Sequence, residues 1–266
     1  MVVDLGADHR LEEKSAWDAF YGGDFYQHWT YGMPELITGV AADGSYSRQR
    51  EALPGTKRIA GPGCNVTATT LALQPGIAQG LVESKDIVAD LVVGYSGAGK
   101  NLKRTNLARR RGVRLRRALR RGRHASPYPR DSAELRPCGR FGRRPGRGVH
   151  ARIHADTRAD GAWHPRHGQR EDDRQGAFHE RRGNPRRVGQ AYAGQEFIVL
   201  LEPGTLPATA NVVGSNAAHV QVVTDRHAGR LIAFAAIDNL NRGTAGQAVQ
   251  SLNVALGLPE DKGLTK

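Results

Sequence analysis

Eighty consecutive residues, 108–187, contain only three isoleucines and valines, at Val113, Val149 and Ile153. A stretch so poor in core formers cannot bury enough apolar surface to offset the entropy of ordering it. Any hydrophobic core must therefore come from residues 1–107 and 188–266. Charge divides the chain at the same boundaries. Residues 108–187 hold 24 Arg, no Lys and 8 acids, a charge of +16, whereas the remainder holds 15 bases and 18 acids, a charge of −3. The overall net charge of +13 is thus the property of one segment. There are two cysteines, Cys64 and Cys138, no signal-peptide-like start and no apolar run of bilayer length, which points to a reduced, cytoplasmic chain.

The flanks carry ordinary α/β patterning. "VVDL" (Val2–Leu5) reads as a short buried strand, and "LEEKSAWDAFYGG" as a helix stopped by Gly22 and Gly23. "TKRIAGPGC" is a strand entering a glycine-proline turn, and "VTATTLALQ" an apolar helix that Pro75 should interrupt. "DIVADLVVGYSGAGK" is a strand followed by a glycine-rich loop. Beyond residue 188, "HVQVVTD" and "LIAFAAI" are strands around the turn "RHAG". "GTAGQAVQSLNVALG" places Ala245, Val249, Leu252 and Leu256 on one helical stripe, the expected buried face.

Two places carry chemistry. Cys64 follows a Gly-Pro-Gly turn and opens a helix, where unpaired N–H groups and the helix dipole favour a thiolate. The same N–H groups can hold an oxyanion formed when a thiolate attacks a carbonyl. A small buried apolar residue would look the same in the sequence. Gly94 to Lys100 spells G-x-x-x-x-G-K after a strand, but Asn101 stands where a P-loop needs Ser or Thr for magnesium. A glycine loop approached closely by a nicotinamide or substrate fits better. Asp8 and Arg10 stand at a strand end, facing a ligand or each other. Asn65-Val66-Thr67 matches a glycosylation pattern, which has no meaning without secretion.

"VVDLGADHRL", "YGMPEL", "GPGCNVTAT", "GYSGAG", "NVVGSN" and "AIDNLNRGTAGQAVQSLN", in this order and spacing, resemble the N-acetyl-gamma-glutamyl-phosphate reductases, the N-acetylglutamate semialdehyde dehydrogenases of arginine biosynthesis. The likeness covers residues 1–107 and 188–266. Asn65-Val66 departs from the Tyr-Pro of many members, a change expected to be tolerated. The resemblance implies NADPH-dependent reduction of an acyl phosphate through a thioester on a catalytic Cys64. It places Ser96, Gly97, Gly99, Asn239 and Gly243 beside the NADP(H) nicotinamide. It implies a homo-oligomer with a small-molecule acyl phosphate substrate, and no metal or membrane. It also implies a fold: the remainder of an NADP-binding Rossmann domain at 1–64, joined by a C-terminal helix at 243–266. A glyceraldehyde-3-phosphate-dehydrogenase-like α+β catalytic and dimerisation domain would occupy 65–242, with 108–187 out of frame or disordered. The family's opening strand–glycine loop–helix, which holds the pyrophosphate, has no counterpart ahead of "VVDLG", so Met1 is expected to mark a truncated or misassigned start.

The family's His-Arg-His-x-Pro-Glu-Ile stretch, whose histidine is the acid/base, belongs in the arginine-rich middle and is not spelled there. Ala125–Asp131 can be encoded GCA TCG CCA TAT CCC CGA GAT; dropping one base yields His-Arg-His-Ile-Pro-Glu and the start of Ile. At the same offset Ile153–His164 yields Phe-Thr-Pro-Ile-Leu-Ala-Pro-Met-Ala-Arg-Gly, matching a second family stretch. Arginine enrichment without lysine is what a shifted frame in GC-rich DNA produces. The competing reading is an arginine-rich arm that folds on RNA, since nine of the fifteen residues Arg109–Arg123 are Arg. Salt-dependent RNA binding would mark it. His124, His150, His154, His164, His167 and His179 lack a regular ligand spacing and are assigned no metal, and Cys138 is assigned no role. Re-sequencing the source DNA should reveal two compensating single-base changes, one near Leu107–Arg109 and one between Gly176 and Val188. An intact open frame as written refutes the shift.

Overall fold

The computed structural model describes residues 1–82, 84, 87–98, 149–156, 185–225 and 230–266, without the side chains of Tyr95, Ala98, 149–156 and 185–188. Strands β1 (Val2–Asp4), β2 (Thr30–Tyr31) and β5 (Arg58–Ala60) form a small parallel sheet in the order β1-β5-β2. Helix α1 (Lys14–Phe20) leads to the positive-φ Gly22 and Gly23, which end it as their freedom at φ > 0 allows. A hairpin of β3 (Ile37–Val40) and β4 (Tyr46–Arg48) follows. Helix α2 (Cys64–Ala78) then runs from the end of β5 onto a second sheet. That sheet contains β6 (Val88–Val93), β7 (Val149–Asp156), β8 (Ile198–Leu200), β9 (Ala218–Asp225) and β10 (Arg230–Ile237), in the order β6-β7-β10-β9-β8. All its pairs are antiparallel except β8 with β9.

The core lies between α2 and one face of this sheet. Ala68, Leu71 and Ala72 of α2 share a cluster with Leu91, Val220, Val222, Leu231, Ala233, Ala235 and Ile237, all buried. Alternation along β9 and β10 sends every second residue to α2, as a strand period of two requires. Helix α3 (Pro185–Tyr192) contributes Tyr192 to the same cluster.

Three expectations from the sequence are corrected. Pro75 does not end α2, which continues to Ala78. A proline within a helix orphans the carbonyl four residues earlier. That carbonyl, on Leu71, accepts the Tyr192 hydroxyl instead. Burial pushes the Tyr192 phenol far above the usual tyrosine range, so it stays a donor. The second correction concerns β7, which forms inside the segment expected to lack regular structure. Its sequence "VHARIHAD" alternates apolar and polar residues, a short period-two signal that the arginine excess concealed. Strands β6 and β10 pair on either side of it.

The third correction is the orientation of α4 (Gly246–Ala255). Its predicted apolar stripe faces outward: Val249 and Leu256 are exposed, as is Ala245 just ahead of the helix. Gln247, Gln250 and Ser251 are buried instead. The reason is a buried polar network. Arg242 and Glu35 form an ion pair at 2.7 Å with both side chains fully buried. Gln250 accepts from Arg242 and from Asn216 Nδ2 (3.1 Å), and donates to Glu35 Oε1 (2.6 Å) and Glu260 Oε1 (2.7 Å). Only Ala255 and Val254 of α4 join a small apolar cluster, with Leu53, Ile59 and Val3 of the parallel sheet region.

Burial pushes the Glu35 carboxyl up, but the Arg242 charge and the bonds from Arg242 and Gln250 outweigh it and hold Glu35 below the ordinary value of 4.5. A depressed carboxyl stabilises the fold above its unfolded-state pKa, and that contribution is lost as pH falls through the lower folded-state value. Glu35→Gln leaves Arg242 buried without its counter-charge and should cost about 3–5 kcal/mol in urea unfolding at neutral pH. The gap from wild type should shrink as the pH falls through and below the ordinary glutamate range.

Candidate active site

The turn before α2 is fixed by a side chain distant in sequence. Arg10 Nε donates to the Gly61 carbonyl (2.7 Å) and its guanidinium to the Leu5 carbonyl (2.8 Å). The remaining nitrogen lies 3.3 Å from where a Cβ on Gly63 would stand. Arg10 is therefore a clamp on the Gly-Pro-Gly turn, and among the described residues no ion pair with Asp8 replaces that role. Gly63 is the N-cap in extended conformation, and Cys64 is the first helical residue. Thr67 N–H donates to the Gly63 carbonyl at 3.0 Å, closing the first turn. The N–H groups of Cys64, Asn65 and Val66 precede the first intrahelical bond and face the space ahead of the helix. The departure at Asn65-Val66 leaves this turn regular, and the half-buried Cys64 thiol points to Asn65 Oδ1 at 3.8 Å.

Four of the five residues expected around the cofactor gather here. Gly243 packs directly on Cys64: a Cβ at position 243 would stand 2.4 Å from Cys64 Cβ and 3.0 Å from its Cα. No other residue fits without displacing the start of α2. The same Cβ would lie 3.6 Å from Asn239 Cβ. Asn239 is buried, and its amide pairs with Ser96 Oγ at 3.2–3.3 Å. Gly97 follows in a short 3₁₀ turn, Tyr95–Ala98, where an added Cβ would collide with Val93 at 2.5 Å. Gly99 and Lys100, the last two residues of the P-loop-like stretch, lie outside the described residues. The result is a thiol at a helix N-terminus with a glycine beneath it and a hydroxyl–amide pair at its side. Those groups can bind a planar carboxamide beside a thiol placed to attack a carbonyl.

Gly243 belongs to a π-turn, Asn241–Ala245, between β10 and α4. Such turns widen a helix by one residue and recur at functional sites. Other supporting residues escaped sequence reasoning. Thr67 Oγ1 meets the buried Gln247 Oε1 at 2.9 Å, joining α2 to α4 beside the thiol. Asp238, just after β10, receives backbone N–H groups from two segments. An acid between an apolar strand and a helix start is a capping signal that would have singled it out. Among the described residues no cluster of His, Cys, Asp and Glu suits a metal ion.

Residues 64–124 and 184–239 match the family model "Semialdehyde dehydrogenase, dimerisation domain". The chain is similar to the N-acetyl-gamma-glutamyl-phosphate reductase of Bifidobacterium longum strain DJO10A, with 61% identity over all of this chain and 73% of that protein. The enzymes of the same name from Bifidobacterium animalis subsp. lactis (55%, 73% of its length) and Leifsonia xyli (41%, 72% of its length) also match over the whole chain. With Cys138 replaced by serine, Gly243→Ala should slow iodoacetamide alkylation of Cys64 at neutral pH by roughly tenfold while far-UV circular dichroism is retained.

Proposed function

The chain belongs to the N-acetyl-gamma-glutamyl-phosphate reductases, oxidoreductases of arginine biosynthesis, and on that footing we propose that Cys64 is the nucleophile of its reaction. The observation that carries this is the packing of Gly243 and the Ser96–Asn239 pair around a cysteine at the N-terminus of α2. The Cys64 thiolate attacks the acyl carbon of N-acetyl-gamma-glutamyl phosphate. The N–H groups of the first turn receive the oxyanion, and the C–O bond to phosphate breaks with its electron pair on phosphate. A thioester remains on Cys64. A dehydrogenase of this family works with a nicotinamide cofactor, and NADP(H) is the one proposed here. Ser96, Asn239, Gly97 and Gly243 would hold its nicotinamide end, the hydroxyl–amide pair suiting the carboxamide. When bound, the reduced ring supplies the hydride that takes the acyl group to the semialdehyde. Cys64 departs as the thiolate and is regenerated.

Residues 1–64 with 243–266 are taken as the remainder of the NADP-binding domain, and 65–242 as the catalytic and dimerisation domain. The parallel sheet packed by Ala255 and Val254 supports that division. The family match takes in residues 108–124 and breaks between 124 and 184, and that break is what the frame-shift reading expects of the middle of the segment. The nucleic-acid reading has no counterpart among the relatives above. No helix among the described residues is long and apolar enough to cross a membrane, and a cytoplasmic site is assigned to this biosynthetic enzyme.

The matched domain is a dimerisation domain, and the face of the five-stranded sheet turned away from α2 suits a second copy of the chain. Register aligns Val88, position 154, Ile232 and Val223 in one row, and Val92, position 150, Ala236, His219 and Val199 in another, with the row of Asp90, position 152, Phe234 and Gln221 between them. Val88, Val92, Val199 and Val223 are all exposed, Val92 by 63%. Burial pushes the His219 imidazole down, which favours its neutral form on this face. Paired Val92→Asp and Val223→Asp substitutions should convert the assembly to monomer in sedimentation velocity.

The acylation half of the reaction requires only Cys64 and the first turn of α2. The family's cycle as a whole also uses an acid/base histidine that the chain as written does not spell. Incubated with N-acetyl-gamma-glutamyl phosphate, the chain should therefore gain a hydroxylamine-labile acyl adduct on Cys64 by mass spectrometry, with little or no NADPH oxidation. No adduct on the folded chain, or an equal adduct in Cys64→Ser, would contradict the nucleophile assignment. A normal reductase rate would contradict the frame-shift reading.

A further inference from the structure

Asp238 is 1% exposed, and among the described residues its carboxylate is met by backbone N–H groups alone. One oxygen accepts from Gly214 at 2.7 Å. The other accepts from Leu240 at 2.9 Å and Asn241 at 3.4 Å. The bonds from Gly214 and Leu240 to this buried carboxylate are charge-assisted bonds of the strong kind, and Asn241 adds a longer, weaker one. They join two segments far apart in the chain: the "NVVGSN" turn, where Gly214 has a φ of +80°, and the start of the π-turn.

The main chain of Asp238 sets the π-turn itself. Its carbonyl accepts Gly243 N–H, five residues on, at 3.0 Å, and Ala245 N–H donates to Leu240 in the same spacing at 3.2 Å. The Asn241 side chain donates back to the Gly214 carbonyl at 3.0 Å, and Thr265 Oγ1 to the same oxygen at 2.7 Å. The turn is thus locked from both ends. Gly243, held by Asp238, is the residue pressed on Cys64, and Asn239, the next residue in the chain, is the partner of Ser96.

We propose that Asp238 is a positioning residue for Cys64, setting the wall beneath the thiol and the hydroxyl–amide pair beside it through one carboxylate. It acts through Gly243 and Asn239. The proposal rests on the reading of Cys64 as nucleophile. Asp238→Asn keeps the size but sets an NH₂ donor against N–H donors, so one arm of the lock is lost. A negative charge at the start of the turn is lost with it.

The test is the pH profile of Cys64 alkylation by iodoacetamide in the full chain carrying Cys138→Ser. Asp238→Asn should lower the high-pH plateau of the profile, the rate of the fully ionised thiolate, by roughly tenfold with circular dichroism unchanged, whereas the lost negative charge acting alone would only ease ionisation and move the midpoint downward. An Asp238→Asn profile that overlays the parent overturns the proposal. If Asp238→Asn does not fold, Asp238→Glu decides, because it keeps the charge but shifts it by one methylene. A lowered plateau supports the proposal, and an unchanged one overturns it. The parent chain tests the underlying reading separately: Cys64 that reacts no faster folded than in urea removes the nucleophile assignment, whatever the ratio of variant to parent.

Discussion

The buried ion pair between Glu35 and Arg242 is the interaction on which the arrangement of the site depends. Glu35 stands ahead of β3, and Arg242 sits in the π-turn one residue before Gly243. The pair therefore anchors the residue that presses on the thiol. Its influence reaches α2 by a second route. The Glu35 carbonyl accepts from Gln74 at 3.0 Å and from Arg48 at 3.2 Å, so the far half of α2 is held by the same residue. The helix that presents Cys64 is gripped at its start by Gly243 and toward its end through Glu35.

Such a pair is costly to desolvate, and its persistence depends on how completely its neighbours complete it. Gln250, Asn216 and Glu260 do so, and Arg50 closes the chain at 2.8 Å from Glu260. This explains why α4 buries Gln250, while Gln247 is held separately by Thr67 of α2 and Val249 is left outward. Geometric definition, more than apolar area, is what the π-turn and the start of α2 require, and buried hydrogen bonds supply it at fixed distances. Asp238 performs the same service at the other end of the turn.

Features set by local pattern were legible in the sequence. Strands β1, β5, β6, β9 and β10, the glycines closing α1 and the position of Cys64 at a helix N-terminus follow from periodicity and capping, whereas the short β2, β3, β4 and β8 carry too few residues to show a period. Ser96, Gly97, Asn239 and Gly243 were reached only through family resemblance, because residues 64, 96 and 243 meet through chain topology. What stayed hidden depended on tertiary partners. Pro75 is tolerated because Tyr192, 117 residues later, serves the carbonyl it frees. The inward face of α4 was misjudged because the apolar stripe is the usual guide, and Glu35 lies more than two hundred residues away. β7 was overlooked because its eight residues lie within a segment whose composition argued against any strand.

The central claim is that the buried pair and the thiol site form one mechanical unit. A double-mutant cycle between Glu35→Gln and Gly243→Ala, read as the rate of Cys64 alkylation at neutral pH, tests it most directly. Residues of one network couple, so the cycle should show an interaction energy of about 0.5–3 kcal/mol. Additivity within about 0.3 kcal/mol, with both single variants folded and each slower than wild type, would show that the pair stabilises the fold without positioning Cys64.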